Sequence, residues 1–175
     1  MKRLTYAAIA AVAAASFAVP TPANASVEGP TWLHAAHHWP NVRVEDHTGP
    51  LWPVRASVTA WGSGLHYQAC GTSNQCVKVY ERNLGNTGTI SYTTQVYTTD
   101  GGGKTHWAPL QIVINSAYNN RYPYAQREQI VKHELGHALG LGHDTTPDVM
   151  NDDGVHSYNY ISPANRADLY NLYIR

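Results

Sequence analysis

The sequence predicts a fold of the α+β class, and three observations carry that prediction. Val42 and Val44 alternate with polar residues, which is the pattern of a half-buried strand. An apolar stripe at helical spacing leads up to Trp61, and two further helix patterns begin at Pro123 and Ser162. Strand-like segments fill the sequence between the first two helix patterns, so we expect strands and helices to build one domain together.

The predicted elements follow in order along the chain. The strand patterns cover residues 41–46, 65–70, 76–81, 89–98 and 110–117. The first helix covers residues 53–61 and ends at Gly62 and Gly64. The second opens with Pro123, which suits the first helical position, and the last begins with Ser162 as its cap. Residues 100–103, Asp followed by three Gly, predict a plain turn.

The N-terminal residues are typical of a secretory signal peptide. Two basic residues precede an apolar, Ala-rich run, and an A-x-A cleavage site ends at Ala25. We therefore expect a secreted, extracellular protein. The expected divisions are a signal peptide at 1–25, an N-terminal extension of the mature chain at 26–40 and the folded domain at 41–175.

The expected mature chain is close to neutral. The sequence has 12 basic and 12 acidic residues, and Lys2 and Arg3 fall in the signal peptide, so 12 − 2 = 10 against 12 leaves a net charge of −2. This balance argues against nucleic acid or an anionic membrane as the main partner. No later segment has the apolar length of a membrane span.

The two cysteines, Cys70 and Cys76, are close in sequence. Because the expected compartment is oxidising, this pair predicts a disulfide that joins the second and third strands. The alternative is a cysteine pair that contributes to a metal site. Neither a second cysteine pair nor a nearby histidine pair accompanies it.

Residues 133–143 match the pattern H-E-x-x-H-x-x-G-x-x-H at all five specified positions. Residues four apart lie on one face of a helix, so His133 and His137 can direct their imidazoles at a single ion. Gly140 allows the chain to turn out of the helix, because a residue without Cβ adopts positive φ cheaply. That turn lets His143 return as a third ligand.

The motif predicts a catalytic metal site. Three neutral imidazoles leave one zinc position open for water, and Glu134 beside the first ligand is the natural base for that water. Five specified positions match by chance in about one chain in 10⁴ to 10⁵ of this length. The alternative is a buried helix whose histidines are satisfied by hydrogen bonds.

The motif resembles the signature of the metzincin zinc endopeptidases, which add a Met-containing turn beneath the metal. Met150 lies seven residues after His143 and fits that turn. Leu139, Leu141 and Val149 make the small secreted bacterial matrixin-like (M10-type) members the most similar.

Two departures from the matrixin pattern stand out. Asp144 follows the third histidine, where animal matrixins usually carry Ser, and a hydrogen-bonded Asp there is more typical of the adamalysin branch. No Tyr stands two places after Met150, so the fifth-ligand Tyr of astacins and serralysins is not evident. Tyr158 and Tyr160 are candidate substitutes, although pocket-wall or packing roles suit them better.

The resemblance implies a zinc metalloendopeptidase. Its domain would have a twisted mixed sheet with an N-terminal helix, a zinc-binding helix and a C-terminal helix. One zinc ion would be held by His133, His137 and His143, with Glu134 as general base; a calcium requirement stays open. We expect a monomer that acts on protein or peptide substrates.

The resemblance also implies where a substrate lies. An extended peptide would add to an edge strand, for which residues 93–98 are the candidate. The chain after Met150, including His156, Tyr158 and Tyr160, would line the primed-side pocket. His156 as a metal ligand is the less economical interpretation.

Other interpretations stay open at this stage. His34 and His38 have helical ligand spacing, but no third ligand accompanies them, and an exposed N-terminal segment is simpler. A non-catalytic zinc-binding module would tolerate loss of Glu134, which is present here. A zinc hydrolase that acts on cell-wall amide bonds is the other alternative, because the motif defines the chemistry better than the substrate.

Overall fold

The computed structural model describes residues 31–32, 38–62 and 64–175. The expected signal peptide and His34 lie outside the described residues. Along the described chain the elements are β1 (Val42–His47), α1 (Val54–Trp61), β2 (Leu65–Tyr67), β3 (Cys76–Arg82), β4 (Ser91–Thr93), β5 (Tyr97–Thr99), β6 (Thr105–Trp107), β7 (Leu110–Asn115), a 3₁₀ helix (Ser116–Arg121), α2 (Tyr124–Ala138) and α3 (Pro163–Tyr173).

A five-stranded mixed sheet forms the centre of the molecule, with strand order β2-β1-β3-β7-β4. The first four of these strands run parallel, and β4 pairs with β7 in the antiparallel direction. β5 and β6 form a separate antiparallel hairpin. The predicted α+β class, with a mixed sheet and three helices, is confirmed.

The hydrophobic core combines this sheet with α1, α2 and α3. Buried residues that belong to one cluster come from β3, β7, α2 and α3: Val77, Val79, Ile112, Ile114, Val131, Leu135 and Leu169. Near-continuous apolar runs such as the one in β7 are expected for strands that are covered on both faces. The core therefore anchors α2 directly against the sheet.

The first helix begins and ends close to the predicted positions. Its buried residues are those of the predicted stripe: Val54, Ser57, Val58 and Trp61. Trp61 Nε1 donates to the backbone oxygen of Lys132 at 2.8 Å, which ties α1 to α2. After the helix, Gly64 has φ +83°, and a Cβ there would overlap the Pro40 carbonyl oxygen, so only glycine fits this turn.

The predicted disulfide is confirmed. Cys70 follows β2 and Cys76 begins β3, and the bond joins them with Cα atoms 5.6 Å apart. Both cysteines are buried. The bond holds the loop between the second and third strands against the sheet.

The predicted strand at residues 89–98 is divided into two in the structure. β4 ends at Thr93. The Thr94 N–H still donates to the Gln111 oxygen at 2.8 Å, but the Thr94 hydroxyl, and not its carbonyl oxygen, accepts the Gln111 N–H at 2.8 Å. The chain then enters β5, which pairs with the unpredicted strand β6. Between them Asp100 Oδ1 accepts the N–H groups of Gly102 and Lys104, both at 2.9 Å, so the predicted turn is confirmed.

The predicted strand at residues 110–117 ends earlier, at Asn115. The Asn115 side chain is fully buried and accepts the Ala117 N–H at 3.1 Å, which caps the 3₁₀ helix that follows. Its Nδ2 donates to the backbone oxygens of Gly85 and Thr89. This side-chain network, which the sequence pattern did not predict, ends the strand.

The starts of the last two helices agree with prediction to within a residue. Pro123 is the N-cap of α2 and Tyr124 its first residue. Ser162 caps α3 through a reciprocal pair of hydrogen bonds with Asn165. Within the described residues, none of these helices has the length and apolar character needed to cross a membrane.

Trp32 adds an early part of the chain to the core. Its side chain is completely buried, and its Nε1 donates to the Ala138 carbonyl oxygen at 2.7 Å. Tyr173 from α3 donates its hydroxyl to the neighbouring Leu139 carbonyl oxygen at 2.9 Å. The C-terminal end of α2 is therefore held from both sides, and the segment placed before the domain by sequence contributes to its core.

Candidate metal centre

The helix α2 places two of the predicted ligands on one face, and a turn brings the third. His133 and His137 are four residues apart, and their Nε2 atoms are 3.1 Å from each other. Gly140 then adopts φ +98°. The N–H of Leu141 donates to the Gly136 oxygen and that of Gly140 to the His137 oxygen, which is the hydrogen-bond pattern of a Schellman helix end.

The turn brings His143 back towards the helix as predicted. Its Nε2 is 3.1 Å from the Nε2 atoms of both His133 and His137. Tetrahedral coordination with Zn–N bonds of about 2.0–2.1 Å separates ligand nitrogens by roughly 3.3 Å. The three-imidazole donor set therefore fits a zinc ion, and the structure brings together all three sequence-predicted ligands.

Backbone carbonyls set the orientation of two of the rings. His133 Nδ1 lies 2.8 Å from the Val149 oxygen, and His137 Nδ1 lies 2.8 Å from the Leu141 oxygen. A carbonyl can only accept, so each Nδ1 carries the proton and each Nε2 keeps its lone pair for a metal. Burial, with a contribution from His137, lowers the pKa of His133 to about 3 and so favours this neutral form.

Glu134 lies beside the triad with its carboxylate held by the edge of the sheet. Ser91 Oγ donates to Glu134 Oε1 at 2.6 Å, and Thr93 Oγ1 donates to Oε2 at 2.6 Å. The residue is only 4% exposed, so few other groups can reach it. The predicted general base is thus adjacent to the predicted ligands.

The predicted Met turn packs beneath α2. Met150 is completely buried, and a Cβ added at Gly136 would overlap its Sδ atom. The same Cβ would lie 3.1 Å from Trp61 Cζ2. Close packing therefore requires glycine at this position of α2, despite its low helix propensity.

A family model described as metallo-peptidase family M12, of the reprolysin type, matches residues 41–170. The chain belongs to the M12 metallopeptidase family. Members of this metzincin-type family use zinc, and the histidine triad could bind that metal. No curated protein sequence matches the chain. The metzincin resemblance is confirmed at the family level, whereas the closer likeness to matrixin-like proteases is not confirmed by this match.

Asp144, the departure from the matrixin pattern, has a structural role in this M12 member. Its Oδ1 accepts the Thr146 N–H at 2.9 Å, and its Oδ2 accepts from Asn165 Nδ2 at 3.2 Å. Burial, and then the nearby Asp148 carboxylate, raise the pKa of Asp144. The side chain therefore ties the loop after the third histidine to the start of α3.

Two cavities flank the triad of the M12 domain, and both are lined by His133, Glu134 and His143. One, of about 350 Å³, extends towards Trp107 and the β4 segment. The other, of about 290 Å³, is more apolar and extends towards Ile130. A peptide that crosses the triad would have space for side chains on both sides.

The wall of the second cavity differs from the prediction. Its lining after Met150 comes from Asn151, Asp152, Gly154 and Val155, and neither cavity includes His156, Tyr158 or Tyr160. The His156 ring instead contacts the Tyr158 ring, with centroids 4.6 Å apart, and it is not part of the metal-binding group. Tyr158 and Tyr160 are 41% and 51% exposed. Residues that follow Met150 thus line a cavity beside the triad, and the primed-side role of His156, Tyr158 and Tyr160 stays a prediction.

The edge of the five-stranded sheet lies mostly before the range predicted for substrate pairing. The sheet edge next to the triad is β4, Ser91–Thr93, and the candidate range 93–98 contains only its last residue. Residues 97–99 belong to the separate hairpin. Along its other side, β4 pairs with no strand of the described residues.

The sequence analysis did not predict which groups form hydrogen bonds with Glu134 and with the histidine rings. Ser91 and Thr93 occupy alternate positions of a strand, which could have indicated a shared face, but no motif connects them to Glu134. The carbonyl oxygens of Leu141 and Val149 carry no sequence signal at all, since every residue has such a group.

Proposed function

We propose that this M12 metallopeptidase is a secreted zinc-dependent endopeptidase. One observation carries the proposal: the Nε2 atoms of two histidines of α2 and of His143, which follows the turn, lie 3.1 Å apart beside the buried residue Glu134. The cavities on both sides of the triad favour cleavage within a peptide chain. The Cys70–Cys76 disulfide supports an oxidising, extracellular location.

In this proposal His133, His137 and His143 hold one zinc ion. The ring orientations set by the Val149 and Leu141 carbonyls keep two of the Nε2 lone pairs directed at a common point. Zinc bound there supplies Lewis acidity, which lowers the pKa of a water and polarises the scissile carbonyl.

Glu134 is the proposed general base. Its carboxylate accepts the proton of the attacking water and later delivers it to the nitrogen of the leaving amine, so that one group serves both proton transfers. The position of Glu134 next to His133 in α2, and its place in the lining of the same two cavities, support this role. Burial to 4% exposure limits competition from bulk water.

We further propose that the substrate pairs with the free side of β4 as an extended strand. Such pairing satisfies backbone groups, while side chains at alternate positions reach the flanking cavities.

The finer assignments also belong to the proposal. We propose residues 1–25 as the signal peptide, 26–40 as the start of the mature chain and a monomeric state. Closeness to the matrixin-like branch stays a sequence prediction. The hydrogen-bonded Asp144 favours the adamalysin type of loop instead.

The Glu134→Gln variant tests this proposal. It keeps the three histidines and nearly the same side-chain size, but removes the carboxylate that accepts the proton. Cleavage of a protein mixture, followed by mass spectrometry of the new termini, should fall by at least about 10²–10⁴-fold. Zinc content and the thermal midpoint should stay close to those of the parent.

Glu128→Gln is the matched control, because it makes the same change on α2 where Glu128 pairs with Lys132 at 3.1 Å and not with the triad. That variant should keep the parent's cleavage rate. A Glu134→Gln protein that binds zinc and cleaves at the parent's rate would refute the role of Glu134. If the zinc-loaded parent cleaves cell-wall material but no protein, the endopeptidase proposal is refuted and the amide-hydrolase alternative is supported.

A further inference from the structure

Two hydroxyl side chains of β4 donate hydrogen bonds to the carboxylate of Glu134. Ser91 and Thr93 are two residues apart in a strand, so both side chains point to the same face. Ser91 Oγ donates to Oε1 and Thr93 Oγ1 to Oε2, each at 2.6 Å. Thr93 Oγ1 also lies 3.1 Å from the Glu134 backbone oxygen. Tyr92 between them points the other way and is 40% exposed.

This arrangement orients the carboxylate and leaves some of its hydrogen-bond acceptor positions unused. An ionised carboxylate has about four lone-pair directions, two on each oxygen. One hydroxyl on each oxygen leaves a second direction on both for a water molecule. Distances of 2.6 Å are typical of hydroxyls that donate to an ionised carboxylate. The side chain is therefore held in one orientation and can still accept a proton.

The two hydroxyls also connect the general base to the substrate edge. β4 pairs with β7 along one side only, and its other side is the edge proposed to receive the peptide. A strand that carries both the substrate contacts and the contacts to Glu134 sets the distance between the scissile bond and the base. Misplacement of a reacting group by about 1 Å can cost on the order of 10²-fold in rate.

We propose that Ser91 and Thr93 are positioning residues that hold the Glu134 carboxylate in its productive orientation. This inference rests on the proposed function, since it assigns a role to groups that act through the general base. The two side chains act through Glu134, whose carboxylate oxygens they contact. Their loss should lower kcat, because the base would sample unproductive rotamers, while substrate and zinc binding should change little.

Thr93→Val is the sharpest variant, because it replaces the hydroxyl by a methyl group of similar size. We expect kcat to fall by about 10- to 100-fold, with KM within about threefold of the parent and unchanged zinc content. Thr93→Ser keeps the hydroxyl and should recover most of the loss. Ser91→Ala removes a single oxygen and should act in the same direction, which preserves the test if Thr93→Val folds poorly.

Thr59→Val is the matched control, because it makes the same chemical change on the exposed side of α1, where the Thr59 hydroxyl donates to the Arg55 oxygen and not to Glu134. It should leave kcat and KM unchanged. A merely structural role would lower the thermal midpoint of Thr93→Val and Thr93→Ser without the difference in kcat between them.

The outcomes separate this inference from the proposed function. If the parent cleaves peptides, loses activity with a chelator, and Thr93→Val and Ser91→Ala both keep the parent kcat, the positioning role is overturned and the endopeptidase stands. A zinc-loaded parent that cleaves no peptide would overturn both. A low kcat in Thr93→Val that Thr93→Ser restores supports the positioning role.

Discussion

The two walls of the cleft are built in contrasting ways. The helix wall consists of α2 and the chain that follows it to Met150, and the strand wall consists of β4 with the β5–β6 hairpin. In the helix wall, Leu135 and Leu139 are completely buried, as is Met150. In the strand wall, Tyr92 and Tyr97 are 40% and 63% exposed.

This difference matches the division of work that we propose. Metal ligands must keep their separation to within a few tenths of an ångström, which requires close packing and fixed rings. A strand that receives a substrate must keep an unpaired edge, and it can tolerate mobility as a result. We therefore expect changes in the helix wall to affect folding and zinc retention, and changes in the strand wall to affect turnover.

The largest effect should come from Trp32, which supports the end of the helix wall. Trp32→Ala should lower the free energy of unfolding by about 3–5 kcal/mol, because it empties a fully buried site and leaves the Ala138 carbonyl without its donor. Urea denaturation measures the change. Trp39→Ala, at a position that is 38% exposed, is the control and should cost far less. Equal effects of the two variants would show that Trp32 does not hold the helix.

The next effect concerns the half-buried ring of His133 in zinc-free protein. Its pKa is about 3 in the folded state, against 6.5 in the unfolded chain, so between these values only the unfolded chain binds the proton. Above pH 6.5 the ring is neutral in both states, and the shift does not change the free energy of unfolding. As the pH falls from 6.5 towards 3, protonation of the unfolded chain lowers the free energy of unfolding. At pH 5 the loss should be about 2 kcal/mol, at roughly 1.4 kcal/mol per pH unit.

Chelator-stripped parent and His133→Gln, compared by urea midpoints at pH 7 and pH 5, measure this effect. The midpoint of the parent should fall more steeply with pH than that of the variant, which lacks the titrating ring. Parallel declines would show that His133 is not held neutral by its surroundings.

A smaller effect should follow from Gly136→Ala, on the packed side of α2. Helix propensity favours the alanine by about 1 kcal/mol, whereas overpacking costs about 1–3 kcal/mol. The added Cβ would overlap Met150 Sδ, so we expect a net loss of about 1 kcal/mol in urea denaturation. Gly101→Ala, where a Cβ meets nothing within 4 Å, is the control. A higher free energy of unfolding for Gly136→Ala would mean that Met150 moves aside at little energetic cost.

The smallest effect on stability should come from Tyr97 in the strand wall. Tyr97→Ala at a position that is 63% exposed should change the free energy of unfolding by less than about 0.5 kcal/mol. If the hairpin contacts substrate, KM should rise while stability stays constant. Loss of the folded state in this variant would contradict the contrast between the two walls.

Sequence patterns predicted those parts of the fold that local chemistry determines. The buried stripe of α1 follows from helical spacing, and the Ser162 cap of α3 follows from local hydrogen bonding. The close approach of the three histidines was predictable, because a metal-binding pattern restricts both residue type and spacing. The turn at Gly140 was predictable because few residues accept φ +98°.

Features that depend on partners distant in sequence were not predictable. At the end of β4, the Thr94 hydroxyl accepts a hydrogen bond from the N–H of Gln111, which belongs to β7. Trp32 looked like part of an extension, because its partner Ala138 is 106 residues away. The contact of Ser91 with Glu134 likewise spans 43 residues, and such contacts leave no periodic signal in the sequence.

Zinc titration of chelator-stripped protein tests the central claim most directly. The rate of peptide cleavage should be negligible without metal and should rise in proportion to added zinc until about one equivalent is bound. His143→Ala should require much more zinc for the same signal, because it keeps only two of the three protein ligands. Cleavage by fully stripped protein, or zinc-saturated parent that cleaves no peptide, would contradict the account.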